Sequence, residues 1–133
     1  MIEFKVKDQN GNFVTLKSVK NLRLTLRTKT EEENNVFSLG WKQTLSYSGT
    51  KYITIKVNGI LDCKIADKLL CKYAFANAVS DYEISFNNSG EKISLQCLIE
   101  LYERYYDPSN FDSFTLILVS AGVVNLKTIQ SST

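Results

Sequence analysis

The densest run of potential catalytic groups is Glu31, Glu32 and Glu33, carboxylates of the kind that serve as general acids, general bases or metal ligands. Their spacing argues against that work. They are adjacent in a stretch with no apolar residue from Thr28 to Asn35, so no low-dielectric wall separates their pKa values, and the run reads as solvated charge. The chain has no histidine, which removes His-dependent triads, Cys/His zinc sites and imidazole general catalysis. Cys63, Cys71 and Cys97 are odd in number and lack close pair spacing, as reduced thiols in small apolar positions would. Neither GxGxxG nor a P-loop pattern occurs. The expectation is a non-enzyme with no cofactor and no metal.

Binding is the other chemistry to weigh. The formal net charge is only +2, too small by itself to imply a nucleic-acid or membrane partner. Its distribution is uneven: residues 1–29 hold seven basic residues against Glu3 and Asp8, and the remainder holds nine basic and twelve acidic. Lys5, Lys7, Arg23 and Arg27 are the candidate basic surface. Three readings stay open for it: contact with an opposite surface on another copy, a solvated mixed surface, or a groove for single-stranded nucleic acid, which would need interleaved aromatics. Phe4 and Phe13 lie nearby but belong to alternations expected to face a core. The opening MIEFKVKDQN has no long apolar stretch and no run of about 18 apolar residues occurs, so neither a signal peptide nor a membrane span is expected.

The elements that must position these residues are mostly strands. Ile2, Phe4 and Val6 alternate with charged residues, and Asn10-Gly11 turns the chain toward a partner strand at Phe13 to Lys17. Leu22, Leu24 and Leu26 alternate with Arg23, Thr25 and Arg27, predicting three inward leucines and two outward guanidinium groups. A loop is expected over about 28–48, carrying Glu31, Glu32 and Glu33 and then the apolar cluster Val36, Phe37, Leu39 and Trp41. Thr50 to Val57 reads as a strand ended by Asn58-Gly59.

At about residues 63–78 the period changes. Ala66, Leu69, Leu70, Tyr73 and Ala74 share one helical face, with Lys64, Asp67, Lys68 and Lys72 opposite, Asp62 as N-cap and Asn77 near the end. The lysine stripe reads as a solvated face, with phosphate or an acidic neighbouring subunit as the alternative. Tyr82 to Phe86 alternates as a strand, "NNSG" turns, and a long second arm runs from Glu91 to Asp107, where helix-spaced apolars compete with the alternation of Ile93, Leu95, Cys97, Ile99 and Leu101. Asp107 to Asn110 is a turn around Pro108, and Phe114 to Val119 is a nearly continuous apolar strand expected to be covered on both faces. Val123, Val124, Leu126 and Ile129 form one more short strand before a fraying tail. The fold class is mainly β: a β-sandwich or partly open barrel of roughly eight strands with one packed helix, in a single domain over residues 1–133.

The order of these segments carries a resemblance. Ser48-Gly49, the strand to Val57, Gly59, Leu61-Asp62, the helix containing DKLLCKYAF, Tyr82 to Phe86, Gly90, Tyr105 or Tyr106, and Ser120-Ala121-Gly122-Val123 together resemble the small major tail proteins of long-tailed phages and the tail tube proteins of gene transfer agents. The pattern departs from the family in Tyr82, where relatives often carry tryptophan, and in a longer turn at Tyr106 to Asn110. The resemblance implies a structural subunit made in the bacterial cytoplasm. Copies would join edge strands into hexameric rings, and the rings would stack into a tube, meet other tail proteins and conduct DNA without reading its sequence. It makes the 28–48 segment a candidate inter-ring arm, and the strands Leu22–Thr28, Thr50–Val57 and Ile93–Tyr102 candidates for the ring-forming sheet, with Lys5, Lys7, Arg23 and Arg27 at an interface or the lumen. The alternatives are a contractile secretion-system tube and a monomeric β-barrel binding module.

Overall fold

The computed structural model describes residues 2–29, 50–61, 65–86, 88–122 and 129–131. Its elements in chain order are β1 (Ile2–Lys7), β2 (Phe13–Leu16), β3 (Val19–Lys29), β4 (Thr50–Ile60), α1 (Ile65–Ala76), β5 (Val79–Phe86), β6 (Glu91–Tyr105), β7 (Ser113–Ser120) and β8 (Ile129–Ser131). The strands make one eight-stranded sheet in the order β2-β1-β5-β6-β7-β4-β3, with β8 beside the start of β6. Every pairing is antiparallel. The two ends of this path, β2 and β3, are consecutive in the chain. In a flat sheet they would lie about 29 Å apart. The three residue steps from Leu16 to Val19 span at most about 11 Å. The sheet is therefore rolled, and the Ile60 N–H donates to Ser18 O at 3.0 Å where the roll closes.

Rolling turns the inward alternations into one core. Phe4 and Val6, Ile53, Ile55 and Val57, Tyr82 and Ile84, Cys97 and Ile99, and Phe114, Leu116 and Leu118 meet there. Helix α1 covers β2 and β6 with Ala66, Leu70 and Tyr73. The Tyr73 hydroxyl donates to Lys7 O at 2.8 Å, fixing the helix to the end of β1. Asn77 ends α1 with φ 51, and the Ala78 N–H donates back to Tyr73 O at 3.1 Å, a left-handed cap of Schellman type. The polar terminator expected at Asn77 is thus borne out; Asp62, Cys63 and Lys64 lie outside the described residues. Among the described residues no helix is long and apolar enough to cross a membrane.

Several expectations are corrected. Asn58-Gly59 does not end β4, which pairs with β7 as far as Ile60↔Ser113. Asp67 is 1% exposed rather than on the solvated face; it sits in the first turn, where the helix field favours a carboxylate. Leu26 is 52% exposed although Leu22 and Leu24 pack on the core, because β3 ends the strand path and has a neighbour on one flank only. Phe13 is also exposed, with the Lys7 ammonium 5.9 Å from its ring centre. The long strand reading of Glu91–Tyr105 holds, but a bulge between Ile99 and Leu101 shifts its phase. Leu101 therefore points away from the core and Tyr102 packs on it. Strand β7 buries one face and half-covers the other. Strand β3 extends to Lys29, so Thr28 and Lys29 belong to a strand, and residues 30–48 of the expected loop lie outside the described residues; the tail pairs with β6 through Ile129, and Val123, Val124 and Leu126 lie outside the described residues.

Gly59 is needed for close approach. A Cβ there would stand 2.4 Å from Ser18 O and 2.8 Å from the Phe114 ring, and the first of these atoms is backbone that cannot swing away. Gly59→Ala is expected to cost about 1–3 kcal/mol of stability, measured by urea denaturation; an unchanged midpoint would contradict the packing account.

Burial also pushes the Cys97 thiol up to about 12 and raises the neighbouring Tyr82 hydroxyl in the same direction. An unfolded thiol ionises near 9, so between pH 9 and 12 unfolding releases a proton. Stability present below pH 9 is then lost as pH rises toward 12. The urea midpoint should fall across that window, with a shallower fall in Cys97→Ala. Thiol reagents at neutral pH should modify half-buried Cys71 and spare Cys97, as read by mass spectrometry of the labelled peptides.

Candidate assembly surface

The chain's open features are backbone edges. Strand β3 has eleven residues and, among the described residues, pairs only with β4, leaving its other edge bare. Strand β6 has fifteen residues, but β5 covers its flank only from Glu91 to Leu98. Past the bulge, β6 pairs with β7 on one side, as far as Tyr105↔Ser113, and among the described residues has no strand on the other. Four strands, β6-β7-β4-β3, thus form a sub-sheet bounded by two unpaired ladders. Long unpaired edges invite pairing with another chain unless charge, proline or a bulge blocks them.

The outward face of this sub-sheet can be read row by row from its register. Arg23 lies opposite Lys56, Lys56 opposite Ile117, and Ile117 opposite Leu101. The next row is Asn21, Asn58, Thr115 and Glu103, tied by hydrogen bonds from Asn58 Nδ2 to Asn21 Oδ1 and from Thr115 Oγ1 to Asn58 Oδ1, both 2.8 Å. Strands β3, β4 and β7 contain Lys20, Arg23, Arg27, Lys29, Lys51 and Lys56 and no acidic residue. Arg23 directly opposite Lys56 is a like-charge cross-strand pair, which weakens a ladder unless an anion comes near. On β6 the open half carries Glu100 and Glu103. Arg104, next after Glu103, turns to the other face, donating to the Tyr102 and Tyr106 hydroxyls at 3.0 and 3.4 Å.

The candidate residues from the sequence separate accordingly. Lys5 lies 3.8 Å from Glu3 and 4.0 Å from Glu83, and Lys7 lies 3.5 Å from Asp81, so the β1 lysines are paired. Arg23 and Arg27, on β3, make no ion pair among the described residues. The basic quartet is therefore two ion-paired lysines on β1 and two arginines on β3. Glu31, Glu32, Glu33, Val36, Phe37, Leu39 and Trp41 lie outside the described residues. Sequence reasoning missed Lys56, Glu100 and Glu103, whose pattern appears only once β3, β4, β7 and β6 are known to be neighbours. It also missed Ile65 and Phe75, 74% and 87% exposed on α1.

The Ser-Ala-Gly segment ends the sub-sheet. Ser120 Oγ accepts from the Ile53 N–H at 2.9 Å, and the Ala121 N–H donates to Gln96 O at 2.8 Å. Gly122, with φ 118, then takes a conformation that side-chain-bearing residues avoid. A cleft of about 400 Å³ beside this point is lined by the Lys7–Asp81 pair, Phe13 and Gln96. Among the described residues no group of three His, Cys, Asp or Glu side chains is placed to hold a metal.

This architecture has close counterparts among solved structures. One is the tail of an empty gene transfer agent particle determined with C6 symmetry, 14% identical, covering 99% of this chain and 96% of that one, with a TM-score of 0.74. Another is the virion of a native gene transfer agent particle, 16% identical over 92% of each chain, with a TM-score of 0.70. A comparison with curated proteins gives no match. A family model described as phage tail tube protein matches residues 1–125. The chain belongs to the phage tail tube protein family.

Proposed function

We propose that this chain is a structural subunit of a phage or gene-transfer-agent tail tube, six copies closing into a ring and rings stacking into a tube that conducts DNA. The observation that carries the ring is the pair of open edges on one four-stranded sub-sheet. Following the antiparallel order, β3 and β6 run in opposite directions, so β3 of one copy beside β6 of the next continues the antiparallel alternation. Repeating that join head to tail removes every open edge of the sub-sheet once the ring closes. The C6 symmetry of the gene transfer agent tail supports six copies.

Stacking is a heterologous contact that does not close, and so makes a filament. We assign it to the segment of about residues 30–48, where Glu31, Glu32 and Glu33 would meet basic residues of the next ring and Val36, Phe37, Leu39 and Trp41 would bury apolar area. The family's role is structural rather than catalytic. A monomeric single-strand binder has less support, because the Lys5 and Lys7 charges are already paired.

Negative-stain microscopy and light scattering on concentrated protein test both parts, with the chain compared to a version lacking residues 30–40. The full chain should give stacked rings of uniform width, and the deletion should keep rings but lose stacking. Monomers in both, at every salt and concentration, would contradict self-assembly; unchanged stacking in the deletion would remove the arm assignment alone.

A further inference from the structure

We propose that the joint between neighbouring copies is keyed by charge, with Arg23 and Arg27 on the β3 edge of one copy meeting Glu103 and Glu100 on the open half of β6 in the next. The inference rests on the ring reading and adds what selects the partner and the register. All four residues are exposed, and none makes an ion pair among the described residues. Arg23, Arg27 and Glu103 project from the same face of the sub-sheet, since the row positions Arg23–Lys56–Ile117–Leu101 and Asn58–Thr115–Glu103 share it.

Counting fixes the register. When Arg23 stands beside Glu103 in an antiparallel joint, Thr25 comes beside the bulge that holds Glu100 and Leu101, and Arg27 lies on the same face one pair further on, diagonal to Glu100. This register pairs Arg23 with Glu103 directly and leaves Arg27 to reach Glu100 across the diagonal. A slip of one residue would turn every β3 side chain to the wrong face, and a slip of two would leave Arg23 beside Leu101 or Tyr105. The anion that the Arg23–Lys56 pair lacks among the described residues is supplied by the neighbour. Leu26 agrees with this: it lies on the core side of β3 and is 52% exposed only because that flank has no strand beside it.

The test is an assembly experiment on folded, full-length chains. Arg23→Glu/Arg27→Glu and Glu100→Lys/Glu103→Lys change exposed side chains, and each variant should keep the wild-type circular dichroism and melting transition. Each alone should lose rings and elute as a monomer by size exclusion with light scattering. Mixed in equal amounts they should recover rings of alternating copies, because each joint then carries opposite charges again. Rings in either double variant alone, or no recovery on mixing, would overturn the charge key and leave the ring reading standing if the wild type forms rings. Wild-type protein that forms no rings would overturn both. Intact rings in all variants, with loss of duplex DNA retention only in Arg23→Glu/Arg27→Glu, would assign the basic face to nucleic acid instead.

Discussion

The three residue steps between Leu16 and Val19 hold together the two ends of a seven-strand path, and most of the architecture is a consequence of that tether. A flat sheet would keep the ends far apart, so the sheet rolls, and rolling gathers side chains from seven strands and the helix into one core. The closing point is crowded: Gly59 passes under Ser18 O and the Phe114 ring with no room for a Cβ. The core is satisfied within one copy. Among the described residues the backbone is not, and the strands that flank the tether are short on one side and long on the other: β2 has four residues and β3 eleven.

The second consequence falls on β6. It is too long for either neighbour alone, pairing with β5 and β8 in its first half and with β7 in its second. The bulge at Ile99–Leu101 changes its phase between the two, so that Ile93, Cys97 and Ile99 before it and Tyr102 after it all reach the same core. The same phase change carries Glu103 to the face occupied by Arg23 and Lys56. An opening in one strand and a bare edge on another, running in opposite directions on one sub-sheet, are complementary to each other rather than to an unrelated partner. On the proposed reading, a chain folded as a single copy has its sub-sheet completed by the ring.

The alternation of Phe4 and Val6, of Ile53, Ile55 and Val57, and of Tyr82 and Ile84 was legible because each strand has one buried face, and period 2 reports that directly. The helix was legible from its change of period and from Asn77. What escaped were features set by neighbours. Asp67 reads as solvated from helical spacing, and only the packing of α1 over β6 buries it. Leu26 reads as core from its alternation, and only its place on the last strand exposes it. Leu101 follows the pattern of the four apolar residues before it until one unpaired residue reverses the faces. Arg23 was legible as outward, but its relation to Glu103 needs the strand order, which no local pattern encodes. Residues 30–49, which hold the arm candidates, lie outside the described residues.

Amide hydrogen exchange, compared between monomer and assembled ring, tests most directly the claim that this sub-sheet is completed by a second copy. Bare ladders exchange freely and paired ones do not. Alternate amides of β3 from Leu22 to Thr28 and of β6 from Glu100 to Tyr105 should become strongly protected on assembly, while amides already paired within the chain, such as those between β4 and β7, change little. Rings in which both of those edges exchange as fast as in the monomer would contradict edge-strand closure.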